Sequence, residues 1–219
     1  MRINSAIYNG TKMLTDHSIP NAHLDAEILM AKAIDKDKKY ILLNSHKIIS
    51  QKHLNIFEQL IKKRSNRKPV AYIINKKFFW NSEFYVSKDT LIPRPDTELI
   101  VENALKVTKQ KNNLSVLDIG IGSGCILLSI LKERKDFYGT GIDISKSCLN
   151  ISKINAINLN VCSRLKLIKS DVDKYFLGKY DLIVSNPPYI NKINIKYLEK
   201  DVVKFEPFSA LNGGVDGLS

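Results

Sequence analysis

Asp118-Ile119-Gly120-Ile121-Gly122-Ser123-Gly124 is the stretch on which the fold turns. The residues leading into it, 115–119, form a short apolar run of strand length. The residues after it, 125–131, carry Ile126, Leu127, Leu128, Ile130 and Leu131 and read as a buried helix. Three glycines between a strand and a helix let the backbone turn sharply and approach a ligand closely. The helix start beyond Gly124 offers N–H groups with no partner inside the helix. Working outward, the same alternation recurs, with strand 137–142, helix 147–158, strand 165–168 and strand 180–185. That order predicts an α/β fold with a parallel sheet, right-handed crossovers and a ligand at the carboxyl ends of the strands.

Upstream the pattern differs. Residues 1–66 read as three or four short helices, a small bundle suited to recognition. Their apolar positions are Ile7, Met13 and Leu14, then Leu24, Ile28, Leu29 and Ala33 after Pro20, then 40–43, then Leu54, Phe57, Leu60 and Ile61. Residues 67–92 read as a β-hairpin linker, with Phe78-Phe79-Trp80 and Phe84-Tyr85-Val86 flanking a turn at Asn81-Ser82-Glu83. Residues 93–219 form the α/β domain, whose first helix follows Pro93-Arg94-Pro95 and carries acid in its first turn, at Asp96 and Glu98.

Hydrophobic residues make up 44%, enough for a packed core and too many for a disordered chain. The 34 Lys and Arg against 22 Asp and Glu give a net charge of +12, which favours a polyanionic partner such as RNA or an acidic protein face. Lysine is abundant throughout, so the charge alone does not single out nucleic acid. No apolar run reaches the roughly 18–20 residues of a membrane span. Met1-Arg2-Ile3-Asn4 lacks the apolar core of an export signal, so a cytoplasmic location is expected. Cys125, Cys148 and Cys162 form no C-x-x-C pair, and neither a metal site nor a disulfide framework is expected.

The glycine loop by itself fits a nicotinamide nucleotide, a plain turn, or S-adenosyl-L-methionine. A G-x-G-x-x-G fingerprint wants glycine where Cys125 stands, whereas D-x-G-x-G-x-G suits S-adenosyl-L-methionine, held by Gly120, Ile121, Gly122, Ser123 and Gly124. Asp143 ends the second strand, 19 positions past Gly124, where an acid accepts hydrogen bonds from ribose hydroxyls. The competing reading is a helix cap at Asp143 or Ser145. Asp171 and Val172 follow the third strand and face the adenine, though Asp171 equally suits a cap for residues 173–175.

Asn186-Pro187-Pro188-Tyr189 closes the fourth strand and is the most specific feature. The lone pair of a planar –NH2 nitrogen is delocalised, so it attacks poorly. A site helps by accepting both N–H hydrogens, one at the Asn186 side-chain oxygen and one at the Pro187 carbonyl, which aligns the nitrogen and favours the charge that develops on it. Two prolines remove backbone donors and fix φ. Tyr189 offers a flat face to an amide or a base.

These motifs, with Leu24-Asp25-Ala26-Glu27, Lys68-Pro69-Val70-Ala71-Tyr72-Ile73, Leu91-Ile92-Pro93-Arg94-Pro95-Asp96-Thr97-Glu98 and Phe205-Glu206-Pro207, resemble the HemK/PrmC family over nearly the whole chain. The resemblance implies a class I S-adenosylmethionine-dependent methyltransferase domain, Rossmann-like, converting the cofactor to S-adenosyl-L-homocysteine. It implies cofactor contacts from Gly120 to Gly124, Asp143, Val172 and Asn186, and a substrate glutamine held by Asn186 through Tyr189. The family's substrates are class 1 peptide chain release factors, methylated at N5 of the glutamine in a Gly-Gly-Gln loop. The helical domain helps dock that factor, with no nucleic acid or membrane required.

Other substrates fit the same motif: ribosomal protein L3, or adenine in DNA or RNA, since the NPPY sequence is shared with adenine N6-methyltransferases. The family's sheet has about seven strands. About four precede the NPPY loop's end here, so a domain incomplete at its C-terminus, or a non-catalytic binding module, is also expected from the sequence. Two positions depart from the family pattern: Asn75 replaces a glycine, and Val172 stands where an aromatic is common.

Overall fold

The chain divides into two units, and their boundaries do not follow the sequence pattern alone. The computed structural model describes residues 1–217; Met1–Ile74 with Lys200–Phe205 make one unit, and Asn75–Glu199 with residues 206–217 make the other.

In the helical unit, α1 (Ile3–Asp16) buries Ile3, Ala6, Ile7, Gly10 and Leu14 along one face. After Pro20 comes α2 (Ala22–Ala33), then α3 (Lys38–Leu43), capped by Asp37, whose side chain accepts the Tyr40 N–H at 2.7 Å. Ser50 caps α4 (Gln51–Ser65) by accepting the His53 N–H at 3.3 Å, and α5 (Val70–Ile74) is a short helix. Leu14, Leu29, Met30, Ile41, Phe57 and Ile61 meet in one core. Arg64 is buried beside it, and its guanidinium donates to Asp25 at 2.7 Å.

The second unit opens on a hairpin, β1 (Lys76–Phe79) and β2 (Ser82–Tyr85). Its turn is Trp80-Asn81, one residue earlier than the expected Asn81-Ser82-Glu83, with φ of 43° and 53°. Two left-handed residues give a turn whose twist matches the strands. Ser82 and Glu83 thus become strand residues opposite Phe79 and Phe78. Asn75, where the family pattern wants glycine, has φ 58° and donates from Nδ2 to the Val86 carbonyl at 3.1 Å. Asparagine enters the left-handed region more readily than most side chains, so the backbone need that glycine meets is met here.

A 3₁₀ turn at Pro95–Thr97 leads into α6 (Glu98–Val107). The α/β pattern follows as expected: β3 (Ser115–Ile119), α7 (Cys125–Glu133), β4 (Tyr138–Asp143), α8 (Lys146–Asn158), β5 (Leu165–Lys169) and β6 (Leu182–Ser185). The four strands are parallel in the order β5-β4-β3-β6, so the order reverses at β3. Val116, Leu127, Leu128, Ile130, Leu131 and Phe137 are fully buried around them. The chain then forms α9 (Lys200–Phe205), which groups with the helical unit, where Asp201 accepts from Arg64 at 2.5 Å. No helix of the described residues is long and apolar enough to cross a membrane.

Residues 211–214 back the NPPY loop. Ile190 bridges Asn212 in parallel, donating to the Leu211 carbonyl at 3.1 Å and accepting from Gly213 N–H at 2.9 Å.

Asn155 of α8 is fully buried and ties the hairpin to the glycine loop. Its Oδ1 accepts the Tyr85 N–H at 2.7 Å, and its Nδ2 donates to the Tyr85 carbonyl at 3.0 Å and the Ser123 carbonyl at 2.8 Å. Asn155→Ala strands three backbone groups, and we expect a loss of about 3 kcal/mol in urea-unfolding stability. A loss within experimental error of zero would show that the hairpin and the loop hold themselves.

Candidate active site

Strand register gathers the predicted residues. Ile119 lies opposite Ile142 on one side and Ser185 on the other, while Asp143 lies opposite Lys169. The loops that begin at Gly120, Ile144, Ser170 and Asn186 therefore leave the sheet along one carboxyl edge. Side-chain and backbone bonds lock that edge. Ser185 Oγ donates to the Ile119 carbonyl at 2.8 Å, and the Gly120 and Ile121 N–H groups both reach the Ile142 carbonyl at 3.0 Å. Because the strand order reverses at β3, the glycine loop and the NPPY loop flank the crevice where open α/β sheets bind ligands.

Gly120, Gly122 and Gly124 have φ of 73°, 55° and 82°, a conformation that side chains resist. Ile121 turns its side chain into the core, and Ser123 is buried as well, so what they can offer a ligand is backbone. α8 grips the loop from behind: Ser152 Oγ donates to the Gly122 carbonyl at 2.8 Å, and Asn155 holds Ser123. Neither residue stood out in the sequence. The available signal was two polar residues on a face otherwise made of Cys148, Leu149, Ile151 and Ala156.

Asp143 is buried at the end of β4, with Oδ2 accepting the Gly122 N–H at 3.0 Å and Oδ1 accepting the Ser145 N–H at 2.8 Å. Ser145 is the cap of α8, its side chain accepting the Cys148 N–H at 3.3 Å, so the helix-cap reading falls to Ser145. A carboxylate has about four acceptor positions, and two bonds leave room for further donors.

Asp118, quoted in the motif but given no role by sequence, is the most unusual group in the unit. It is 1% exposed, and neither carboxylate oxygen has a hydrogen-bond partner among the described residues. Burial pushes the carboxyl up to about 8. The Leu127 N–H partly offsets that rise without completing a hydrogen bond, and the charge of Asp143 adds to it.

After β5, Asp171 and Val172 are exposed, and Asp171 accepts the Asp173 N–H at 3.4 Å as the cap of the turn Val172–Lys174. The capping alternative is thus realised for Asp171, on the same edge as the other predicted residues. At the end of β6, Asn186 and Pro188 are half-buried, Pro187 is exposed, and Tyr189 stands 70% exposed.

Comparison with known proteins shows what the chain is similar to. The model of the PrmC N-terminal domain matches residues 5–74, and that of the methyltransferase small domain matches residues 95–204. The release factor glutamine methyltransferase of Caulobacter vibrioides is 37% identical over 207 residues, covering 94% of this chain and 72% of the relative. That of Buchnera aphidicola subsp. Baizongia pistaciae is 40% identical over 214 residues, covering 96% of this chain and 75% of the relative. Among solved structures, a SAM-dependent methyltransferase from Geobacter sulfurreducens in complex with S-adenosyl-L-homocysteine is similar over 40% of this chain and 35% of its own. It shares 26% identity, with a TM-score of 0.36. Two domain models, and relatives aligned across most of their own length, place the chain in the release factor glutamine methyltransferase family.

Proposed function

We propose that this protein transfers a methyl group from S-adenosyl-L-methionine to the side-chain amide nitrogen of the glutamine in the Gly-Gly-Gln loop of class 1 peptide chain release factors. The observation that carries the reading is the β3–β6 register, which sets a glycine loop beside Asn186-Pro187-Pro188-Tyr189. The relatives' names supply the substrate class.

The residues present fit the cofactor. A buried carboxyl without a partner, Asp118, suits a ligand that brings positive charge. The glycine loop offers backbone with no side chain in the way, and Asp143 retains acceptor capacity for ribose hydroxyls. Gly120, Gly122, Gly124, Asp143 and Asn186 would hold the cofactor, with Asp171 and Val172 beside the adenine, and no metal takes part. When bound, the cofactor supplies an electrophilic methyl group.

The chain's own residues then do three things. The Asn186 side-chain oxygen and the Pro187 carbonyl accept the two amide hydrogens, which orients the nitrogen and favours charge developing there. Pro188 keeps φ fixed and offers no competing N–H. Tyr189 presents its ring to the planar amide. Residues 1–66 dock the intact factor, so the bundle governs affinity for the protein substrate rather than for the cofactor.

Asn186→Ala should lower kcat for release-factor methylation on the order of 10²–10³-fold while far-UV circular dichroism stays unchanged. Turnover near that of the natural chain would sink the amide-acceptor role. Asp118 yields a pH-dependent test. Its folded-state pKa, raised to about 8, lies above its unfolded value, so the stability it contributes is present at low pH and is lost as pH rises toward about 8. Asp118→Asn should therefore melt above the natural chain near pH 7.5 without cofactor, the gap closing toward pH 4, and should bind S-adenosyl-L-methionine more weakly. Unchanged affinity by calorimetry would remove Asp118 from the cofactor site.

A further inference from the structure

Pro187 and Pro188 have no N–H, so the NPPY loop cannot fix itself with donors of its own at those positions. Nor does Tyr189 anchor it by packing, being 70% exposed. What lies against the loop is backbone from residues 211–217. Beyond the two bonds at Ile190, Lys192 donates its N–H to the Gly214 carbonyl at 2.9 Å. The Asn191 side chain donates to the Val215 carbonyl and accepts the Ile193 N–H at 2.9 Å. The approach is close enough to forbid side chains. A Cβ on Gly213 would lie 2.8 Å from the Pro188 carbonyl oxygen, and one on Gly217 would lie 2.7 Å from that of Tyr189. Both obstacles are backbone atoms that cannot swing aside, and Gly217 also needs its φ of 84°. The far end of this segment is fixed as well. Glu206 is buried, with Oε1 accepting from Arg94 at 2.5 Å and Oε2 accepting the Ile92 N–H at 3.2 Å.

We propose that residues 206–217 form a brace, clamped at Glu206 and laid over the Pro188-Tyr189 backbone, and that Gly213 and Gly217 are positioning residues for methyl transfer. The inference rests on the proposed function for the word "transfer", and on geometry alone for the brace. With the carbonyls of Pro188 and Tyr189 covered and Ile190 bonded on both sides, the loop keeps one orientation. The Pro187 carbonyl and the Tyr189 ring inherit their aim from it. A methyl group at position 213 or 217 must push the two backbones apart. A displacement of that kind, near 1 Å, is enough to cost on the order of 10²-fold in rate at an aligned site.

The test uses the full chain with Gly213→Ala, Gly217→Ala and Asn191→Asp. The last is a surface change that keeps an acceptor for Ile193 and removes the donor to Val215. Amide hydrogen exchange reports the brace directly. Exchange at Ile190 and Lys192 should speed up about tenfold or more in the glycine variants, with peptides from 118–124 unchanged. Turnover reports positioning: kcat on a release factor should fall about tenfold to a hundredfold for the glycine variants and several-fold for Asn191→Asp. Affinity for S-adenosyl-L-homocysteine should stay within about twofold. Unaltered exchange in all three variants overturns the brace. Faster exchange with natural kcat, or cofactor affinity falling in step with kcat, overturns the positioning role and leaves a structural one. A natural chain that methylates no release factor overturns the proposed function instead, while the exchange result still decides the brace.

Discussion

The parallel pairing of β3 with β6, Ile119 against Ser185, is the constraint on which the candidate site depends. Two loops that lie far apart in sequence leave neighbouring strands at the same edge because that register holds. The Ser185 hydroxyl on the Ile119 carbonyl adds a side-chain lock at the last paired residue. A one-residue slip would carry the NPPY loop along the strand axis by about 3.3 Å and exchange the faces of β6. Either change would part Asn186 from the glycine loop.

The glycine loop itself is held mostly from behind. Ser152 and Asn155 take its carbonyls, and Asp143 takes an N–H, so its shape is set before any ligand arrives. Binding to a preformed loop avoids the cost of ordering it. Asp118 is the counterweight: a buried acid whose oxygens have no hydrogen-bond partner among the described residues costs the fold stability. The same logic runs through the NPPY loop, whose backbone is covered by a segment that cannot carry side chains at two positions.

Much of this was legible from the residues. Apolar runs of strand or helix length place β3, α7, β4, α8, β5 and β6 close to their observed bounds, because each is short and punctuated by turn residues. The hairpin was read correctly as a hairpin. Its turn lies one residue earlier than the pattern predicts, since Trp80 continues the apolar run of Phe78 and Phe79 and only its left-handed backbone separates it from the strand. The helix α5 went unseen because five residues with Val70, Ile73 and Ile74 carry no helical signature of their own. Ser152, Asn155, Glu206 and Gly213 escaped for a different reason. Their partners lie 30 or more positions away for the first two and more than 20 away for the others. No local pattern marks a side chain whose role is to hold a distant backbone.

On the proposed function, this edge of the sheet presents a glutamine amide to a methyl donor. The most direct test is mass spectrometry of a class 1 release factor after incubation with the purified protein and S-adenosyl-L-methionine, with fragmentation to locate the modified residue. The expected result is one added methyl group on the side chain of the glutamine in the Gly-Gly-Gln loop, absent when that glutamine is replaced. An unmodified factor alongside methylated adenine in DNA or RNA, under conditions where the cofactor binds, would contradict it.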